Sequence, residues 1–350
     1  MFSRLKRFFG RENSTVESYL KKLSVNRHDL IRTVSDVDID SPVSAYITLA
    51  ILLKEKGEYY KSLKILESLD SNNLTPQEKR LLYLNLALVY RSAGFLDRAE
   101  EALRKGIEEF PSESFFYYEL AQIKRISGKL EEAVELLERA VELKEEFLDD
   151  LIYTKLYLAD SYINEGRTDK AFRILRKLHL KFPIPLFYYV LSKLYYSVGE
   201  IEKGFKNAIL GMRLSPEHSA PFLQVIEENE GITLEKLKEI TSTAGLTLPA
   251  GKRLVEELIK EGMKDEAIEL LEELLSKYFS YAYFQETYLK LLWETGKRKK
   301  VAQTIEKFLE DLKKKQKAYK CRNCGYRTDT FNWMCPRCKS WETLEINCEP

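Results

Sequence analysis

The stretch RSAGFLDRAEEAL, residues 91–103, decides the architecture because related stretches recur along the chain. In most copies the glycine is followed five positions later by a small residue. The interval from Gly94 to Gly128 is the same as the interval from Gly262 to Gly296. The aligned glycines are Gly57, Gly94, Gly128, Gly166, Gly199, Gly262 and Gly296. A recurring interval of this kind predicts an array of similar units, each too small to bury a core alone.

The residue types in the repeat predict a pair of antiparallel helices. Glycine adopts positive φ at low cost, so it lets the chain leave one helix and enter the next. A small residue lets the two helices pack closely. The small residues are Ser62, Ala99, Ala133, Ala171, Gly204 and Ala267. The prolines Pro111, Pro183 and Pro216 each lie seventeen residues after a repeat glycine and are expected to end the second helix.

This pattern resembles the tetratricopeptide repeat, which has a period of about 34 residues. The resemblance predicts an all-α solenoid over residues 41–313, with seven readable copies and a divergent eighth pair around Gly231. The step from Gly128 to Gly166 is longer than this period, so we expect a longer helix or loop near EEFLDD, residues 145–150.

A repeat solenoid commonly binds peptides or protein surfaces in the groove formed by its first helices. Helical register predicts a set of polar and aromatic residues in that groove, and each of them has the alternative of ordinary solvation or packing between repeats. The set is Tyr118, Gln122, Arg125, Asp160, Asn164, Tyr189, Lys193 and Tyr196. Polar and aromatic side chains together suit protein recognition.

Near the C-terminus the sequence KCRNCGYRTDTFNWMCPRCKSWETL, residues 320–344, contains two C-x2-C pairs. Ten residues separate the pairs, which predicts a four-thiolate metal site in a zinc ribbon over residues 319–350. The ligands are Cys321, Cys324, Cys335 and Cys338. A closed four-sulfur site holds a structural ion rather than a catalytic one. Zinc is the favoured ion, and iron is the alternative.

Three further residues near this site have predicted roles. Trp333 and Trp341 flank the cysteine pairs. They are expected to pack the ribbon internally, and the alternative is that they dock it onto the last helices of the solenoid. Cys348 is surplus to a four-ligand site and is predicted to be a bystander.

The N-terminal segment, residues 1–40, has no secretory signal, because basic residues interrupt its apolar residues. No stretch is long and apolar enough to predict a transmembrane helix. Within residues 1–11, Phe2, Leu5, Phe8 and Phe9 fall at helical spacing among basic residues. We therefore expect a cytoplasmic protein, with peripheral contact of residues 1–11 to an anionic membrane face as one interpretation. The other interpretation is a first helix that docks on the body or stays unfolded.

The composition and the absent motifs argue against an enzyme. The chain has 350 residues, with 56 basic and 55 acidic side chains, so no strong net charge directs it to nucleic acid. His28, His179 and His218 are scattered and form no metal or nucleophile motif. No phosphate-binding or hydrolase signature occurs either. A non-enzymatic binding protein is the prediction.

Helical repeats followed by this cysteine motif resemble the lipopolysaccharide assembly protein B family over nearly the whole chain after residue 40. The ending formed by Cys335, Pro336, Cys338 and Trp341 also matches that family. The resemblance implies a rubredoxin-like metal domain, with the four cysteines as its ligands. It also implies an adaptor at the cytoplasmic face of the inner membrane of Gram-negative bacteria. Such an adaptor works with a membrane-anchored AAA+ protease and controls breakdown of the deacetylase that commits to lipid A synthesis. Better-known members have an N-terminal transmembrane helix, and we predict none here.

A nucleic-acid-associated scaffold is the alternative function. The basic runs GKRKK, residues 296–300, and KKKQKAYKCR, residues 313–322, lie beside the cysteine motif, and phosphate contacts are one role for them. Solvated helix and linker surface is the other interpretation, and it is favoured because the ribbon itself is not strongly basic.

Overall fold

The structure is a computed structural model and describes residues 42–69, 73–178, 182–278, 281–312 and 318–347. Helices fill almost all of this chain before the ribbon. In chain order they are α1 (Pro42–Glu55), α2 (Tyr59–Glu67), α3 (Pro76–Ser92), α4 (Leu96–Glu109), α5 (Ser114–Ile126), α6 (Leu130–Leu143), α7 (Leu148–Asn164), α8 (Thr168–Lys177), α9 (Pro185–Ser197), α10 (Ile201–Leu214), α11 (Ser219–Glu230), α12 (Leu234–Ala244), α13 (Leu248–Lys260), α14 (Lys264–Lys277), α15 (Ala282–Glu294) and α16 (Arg298–Leu312). Single 3₁₀ turns, Glu145–Phe147 and Pro216–His218, precede α7 and α11.

Within the described residues the helices form eight pairs, and each pair is joined through one glycine. Gly94, between α3 and α4, has φ +84°, a conformation that side chains with a Cβ rarely adopt. The divergent segment around Gly231 also forms such a pair, with φ +71° at the glycine. The long step after Gly128 contains the 3₁₀ turn and the 17-residue helix α7, as the spacing predicts.

Helices of adjacent pairs pack around glycines that make room for aromatic rings. Gly106 on α4 faces Phe116 on α5, and a Cβ at Gly106 would lie 2.5 Å from the ring. Gly211 on α10 faces Phe222 on α11 in the same way, and a Cβ there would overlap the ring. Both phenylalanines are almost fully buried. Interior packing at this density leaves no space for one further carbon atom.

We expect Gly106→Ala to destabilise the repeats by about 1–3 kcal/mol, because the added methyl group collides with the Phe116 ring. Urea unfolding followed by circular dichroism measures the change. The control is Gly106→Ala combined with Phe116→Leu, which removes the colliding ring atoms. This double variant should be more stable than the sum of the two single changes predicts. Strict additivity would show that the contact is not the cause.

Buried serine hydroxyl groups form hydrogen bonds between the two helices of a pair. Ser62 on α2 donates a 2.7 Å hydrogen bond to the carbonyl of Ala50 on α1. Ser192 on α9 donates to the carbonyl of Gly204 on α10 at 2.8 Å. Both serines are fully buried, so each bond satisfies a polar group that would be costly to leave unpaired.

The chain divides into two compact units, with the boundary inside α7. The first ends at Leu158 and also includes the short segment Arg337–Lys339, whereas the second begins at Ala159 and includes the rest of the ribbon. Residues 1–40, and with them the predicted anchor of residues 1–11, lie outside the described residues. The limits predicted for the three segments therefore stay predictions. Among the described helices, none combines the length and apolar character that crossing a bilayer requires.

The ribbon is a small antiparallel sheet of three strands. These are β1 (Tyr319–Cys321), β2 (Arg327–Thr328) and β3 (Leu344–Ile346). β1 is central: Tyr319 pairs with Thr328 on one side and with Ile346 on the other. Cys321 lies opposite the buried Leu344, so the first candidate metal ligand is held by the sheet itself.

Candidate metal centre and its docking surface

The first cysteine pair is held in a tight turn at the end of β1. The amide of Gly325 donates a 2.8 Å hydrogen bond to the carbonyl of Cys321, and the amide of Cys321 donates to the carbonyl of Tyr326 at 2.7 Å. Gly325 has φ +70°, which a glycine adopts without strain. The turn therefore follows directly from the glycine after the second cysteine.

The second cysteine pair forms a matching turn. The amide of Cys335 donates a 2.9 Å hydrogen bond to the carbonyl of Ser340. Lys339 stands one residue after Cys338, as Gly325 does after Cys324, and it has φ +59°. A non-glycine residue in this region costs about 1–2 kcal/mol. The fold thus imposes the same backbone shape on both pairs, although only one of them contains glycine.

The four sulfur atoms fit one tetrahedral ion. All four lie within 4.8 Å of one another, and the Sγ atoms of Cys324 and Cys335 are 3.8 Å apart. Zinc–sulfur bonds of about 2.3 Å in a tetrahedron place the sulfurs roughly 3.8 Å from each other. A disulfide would require about 2.05 Å. The geometry fits four thiolates around an ion and leaves no open coordination position for a substrate.

Neighbouring polar groups support the ligands. The Oγ1 of Thr343 lies 3.2 Å from the Sγ of Cys321. The side-chain amide of Asn323 donates a 2.7 Å hydrogen bond to Ser340, which links the two cysteine turns. Cys321 and Cys335 are fully buried. Polar contacts and burial around the sulfurs orient the ligands and exclude water from a structural site.

The ribbon docks on the repeats through Trp333. Its ring stacks on His218 with centroids 5.4 Å apart and meets Phe222 edge-on at 6.4 Å. The Tyr189 ring of α9 lies 6.0 Å away. The Trp333 side chain is 9% exposed. Aromatic side chains buried in this way dominate the energetics of a packed interface.

Two further contacts extend the docking surface. Phe331 lies 5.2 Å from His218 and 5.6 Å from Tyr319 of β1, so it bridges the sheet and the repeats. The amide of Leu186, in the first turn of α9, donates a 3.4 Å hydrogen bond to the Glu342 carboxylate. The expectation that Trp333 packs only within the ribbon is therefore wrong. The rings that contact Trp333 on the repeats belong to α9, α11 and the turn before α11.

Trp341 forms an isolated antiparallel backbone bridge with Met334, which closes the second cysteine turn within the ribbon. The packing of its side chain inside the ribbon stays a prediction. Cys348 lies outside the described residues, so its predicted role as a bystander stays a prediction.

His218 is a buried titratable group in this interface. Its Nδ1 lies 2.5 Å from the Ser215 hydroxyl. Burial lowers the pKa of His218 below its ordinary value, and the nearby Arg322 guanidinium lowers it further. The Glu217 carboxylate and the Leu344 backbone oppose this shift without reversing it. The folded protein therefore favours the neutral form of His218 between its repeats and its ribbon.

We expect stability to fall as the pH drops below about 6.5, the ordinary pKa of histidine. Below that value the unfolded chain binds a proton that the buried His218 takes up less readily, so protonation favours unfolding. Urea midpoints measured from about pH 7.5 to 5.5 test this, with His218→Gln as the comparison. Per pH unit below that value, the free energy of unfolding of the variant should fall by up to about 1.4 kcal/mol less than that of wild type. Metal release affects both proteins, so identical pH profiles would contradict the prediction.

Three predicted groove residues lie in the first compact unit. Tyr118 is half-buried and stacks on Phe147 at 4.5 Å, so it packs between consecutive pairs. Gln122 is buried and accepts a 2.5 Å hydrogen bond from Arg125. Arg125 also lies 3.9 Å from the Asp150 carboxylate on α7. Tyr118 and Arg125 contribute to contacts between repeats, and partner binding by all three side chains stays a prediction.

Five predicted groove residues lie in the second unit, and three of them form one cluster. The Lys193 ammonium lies 2.5 Å from Asp160 and donates to Asn164 at 3.0 Å. It also sits over the Tyr189 ring at 5.6 Å. Tyr196 is buried.

The contacts of Tyr196 and Tyr189 limit what a partner can reach. Tyr196 donates from its hydroxyl to Glu230 on α11, and burial raises its pKa. The docked ribbon lies against Tyr189 through Trp333. Their binding role stays a prediction, as it does for the cluster around Lys193.

Sequence reasoning missed His218 and Phe222 as docking residues. Phe222 looks like an ordinary core position on α11, and His218 stands alone between two helices. The aromatic residues of the ribbon, Phe331 and Trp333, were the available signal. They are larger and more apolar than a sheet of three very short strands can bury by itself.

Comparisons with known protein families agree with the geometry. Residues 319–345 match the family described as rubredoxin metal binding domain. Residues 82–113, 116–147 and 153–183 match tetratricopeptide repeat families. The predicted all-α repeat fold with a small C-terminal ribbon is therefore confirmed.

Two relatives align with most of the chain. Lipopolysaccharide assembly protein B of Haemophilus influenzae is 23% identical over 323 residues, which covers 89% of this chain and 81% of the relative. The protein of the same name from Escherichia coli K12 is 22% identical over 318 residues, covering 87% and 80%. Among solved structures, the C-terminal part of a TPR repeat-containing protein from Cytophaga hutchinsonii covers 70% of this chain and 95% of its own, with 17% identity and a TM-score of 0.44. That distant likeness carries no functional argument.

Proposed function

We propose, because the chain resembles lipopolysaccharide assembly protein B along most of its length, that it is a protein-binding adaptor in the regulation of lipopolysaccharide assembly. The observation that carries this proposal is that one chain combines tetratricopeptide repeats with a rubredoxin metal binding domain. The two relatives align with 89% and 87% of this chain. Tetratricopeptide repeats alone occur in many unrelated functions. The metal ribbon that follows the repeats reduces the number of functions that fit this chain.

The repeats supply the binding surface of the adaptor, and the ribbon is a structural part of it. A closed four-sulfur site performs no Lewis-acid chemistry on a substrate. The relatives are named for assembly, not for a catalysed reaction. The ribbon packs on α9 and α11 through buried aromatic rings, so it also limits which part of the repeats a partner reaches.

The finer proposal concerns the partners. By the resemblance, one partner is the deacetylase that commits to lipid A synthesis, and the other is a membrane-anchored AAA+ protease that degrades it. The chain would bring the two together at the cytoplasmic face of the inner membrane. Residues 1–11 would add peripheral membrane contact.

The cellular test is the lifetime of the deacetylase. In a lipopolysaccharide-making host, removal of this protein should change the half-life of the deacetylase after protein synthesis is stopped. Affinity capture from solubilised membranes of the native cell should recover the protease and the deacetylase. An unchanged half-life together with capture of neither protein would refute the coupling, even if other partners are found.

The metal is proposed to be zinc, with iron as the alternative for a four-sulfur site. Elemental analysis of protein purified from its native host should give about one zinc per chain. An iron site would instead give the visible absorption of iron–thiolate bonds, which zinc lacks because its d shell is full.

The nucleic-acid alternative receives less support from the basic run at residues 296–300. Lys297 lies 2.7 Å from the Asp265 carboxylate, and Lys300 lies 2.7 Å from Glu272. These ion pairs neutralise part of the charge that phosphates would need. Salt-dependent binding of RNA or DNA by the full chain would support the alternative, and no binding at low salt would dismiss it.

A further inference from the structure

The first described helix, α1, has an apolar side that is exposed. No charged residue occurs in α1 before Lys54, so charge marks no solvent side over most of its length. On its inner side Ile47 is fully buried, whereas Leu49 and Leu52 are 45% and 38% exposed. A helix without a charged side is normally covered all round by other elements. We call the exposed side of α1 the open face, and its residues are Ala45, Tyr46, Leu49 and Leu52.

Most later pairs bury the residues that are equivalent to the open face. Ala45, Leu49 and Leu52 lie twelve, eight and five residues before the glycine of their pair, and the same distances define the equivalents elsewhere. The buried equivalents are Leu82, Phe116 and Phe284 for Ala45, Leu120, Leu158 and Leu223 for Leu49, and Val89, Ile123 and Leu194 for Leu52. Similar residue types are therefore buried in later pairs and exposed in α1, so what differs is the neighbouring element.

The element that covers this side in later pairs is the second helix of the preceding pair. Phe116 on α5, the equivalent of Ala45, packs against Gly106 on α4. The same packing of a second helix on the next first helix joins α2 with α3, α8 with α9, α10 with α11, α12 with α13, and α14 with α15. Because α1 is the first of the described helices, the open face lies where such a second helix would pack.

The chain just before α1 contains a matching apolar pattern. Leu30, Ile31, Val34 and Val37 have the same spacing as Ala45, Tyr46, Leu49 and Leu52. In a helix this spacing places all four side chains on one side. Asn26 with Asp29 three residues later is typical of a helix start. The positions between the apolar residues are polar, which suits the outer side of a helix that ends a repeat stack. These polar residues are Arg32, Thr33, Ser35 and Asp36.

We propose that residues 27–37 form a helix that packs on the open face and closes the N-terminal end of the repeats. The connection to α1 is then residues 38–41. It has four residues, as do the connections 110–113 between α4 and α5 and 278–281 between α14 and α15. Ala45 is small where α5 has Phe116, so the open face leaves space for the leucine and valine side chains of an incoming helix.

The chain's own segment fits this face better than a second molecule does. Residues 27–37 end four residues before α1, so their effective concentration at the open face is on the order of millimolar. A second copy or another protein would have to compete with this segment from dilute solution. The segment also has the polar outer side that ends a stack, whereas a second open face is apolar.

The docked helix goes beyond the adaptor proposal and does not depend on it. It closes the apolar end of the stack, so protein partners are left with the other surfaces of the repeats. Residues 1–11 lie outside the docked helix and stay available for the proposed membrane contact. Docking holds that contact close to the first helix pair.

Hydrogen exchange of the full chain, measured by mass spectrometry, tests the docking. In wild type the amides of residues 30–37 should exchange at least about tenfold more slowly than those of an unfolded peptide of the same sequence. Leu49→Asp combined with Leu52→Asp should remove this protection, because docking would bury two unpaired carboxylates. The matched control is Leu210→Asp combined with Leu214→Asp on α10. These two leucines are 39% and 41% exposed, and their replacement should leave residues 30–37 protected.

A reciprocal variant keeps the test decisive if the changes in α1 disturb the first pair. Ile31→Asp combined with Val34→Asp alters only the segment before the described helices. It should remove the protection of residues 30–37 and make the amides of α1 exchange several-fold faster than in wild type. Circular dichroism and urea midpoints establish that the other helix pairs of each variant stay folded.

Unprotected residues 30–37 in wild type would overturn the proposal, as would protection that survives both double variants. Light scattering identifies a second copy as the occupant. A wild-type dimer that Leu49→Asp with Leu52→Asp dissociates, with residues 30–37 unprotected, would assign the open face to self-association. Protection that arises only after addition of phosphatidylglycerol vesicles would assign the segment to a membrane. Either result refutes the docking and leaves the adaptor proposal unaffected.

Discussion

Replacing Cys321 and Cys324 together by serine is expected to abolish metal binding and unfold the ribbon. The metal content should drop from about one ion per chain to nearly none, because half of a closed four-ligand site is removed. The free energy of metal binding that the substitution removes is large. Structural zinc binding contributes roughly 10–16 kcal/mol in zinc-finger peptides, and that energy is also the folding energy of the module. Elemental analysis and limited proteolysis after residue 318 measure both consequences.

A matched control comes from the fifth cysteine. Cys348→Ser should leave the metal content unchanged, because four sulfurs already gather around one point without it. The helices should also survive the double substitution, since each helix pair buries its own apolar face against its neighbours. Retention of a full equivalent of metal in the double variant would show that other groups hold the ion.

Replacing Trp333 by alanine is expected to release the ribbon from the repeats without removing the metal. Truncating a buried aromatic side chain costs about 3–5 kcal/mol. Here the loss falls on the contacts with His218, Phe222 and Tyr189. Faster hydrogen exchange in residues 186–222, together with full metal content, would report undocking.

The control is Trp293→Ala, which removes a tryptophan that is 60% exposed. Its ring lies under the Arg298 guanidinium, 4.8 Å from the centroid. Such an exposed cation–π contact is worth about 0.5–1 kcal/mol, so the effect should be small. If Trp333→Ala leaves exchange in residues 186–222 unchanged, the ribbon is held by other contacts.

Undocking also bears on the pH dependence of the protein. Trp333, Phe331 and the repeats shield His218 from water, and this burial lowers its pKa. A released ribbon would hydrate the ring and bring its pKa back toward the ordinary value. The Trp333→Ala and His218→Gln variants should therefore both flatten the loss of stability at low pH.

The repeat architecture was predictable because each helix pair repeats the same local rule. A glycine with positive φ ends one helix, and in most pairs a small residue five positions later lets the helices close. These requirements concern residues close together in the chain. They therefore produce a recurring interval that is visible in the sequence. The divergent pair around Gly231 keeps the positive-φ glycine, although it lacks the small residue five positions later.

The clustering of the four cysteines was predictable for a similar reason. Two residues between paired cysteines allow one tight turn to present both sulfurs to the same point. The spacing therefore specifies each half of the site. That the halves meet is shown by the 3.8 Å between the Sγ atoms of Cys324 and Cys335.

The groove residues show where register stops being informative. Helical register predicts on which side of a helix a side chain lies. Whether that side is exposed to a partner depends on the packing of the next repeat. Tyr196 is covered through its contact with Glu230, and Tyr118 is covered by Phe147. Tyr189 faces Trp333, which lies far from it in the sequence.

By itself the sequence determined the repeat, the turns between its helices and the two cysteine turns, because these depend on residues close together in the chain. Only the tertiary structure decided that the ribbon docks on α9 and α11, through Trp333 against His218 and Phe222. That contact joins parts of the chain that are distant in the sequence, and no recurring sequence pattern predicts it. It exists because the ribbon is too small to bury its own aromatic side chains.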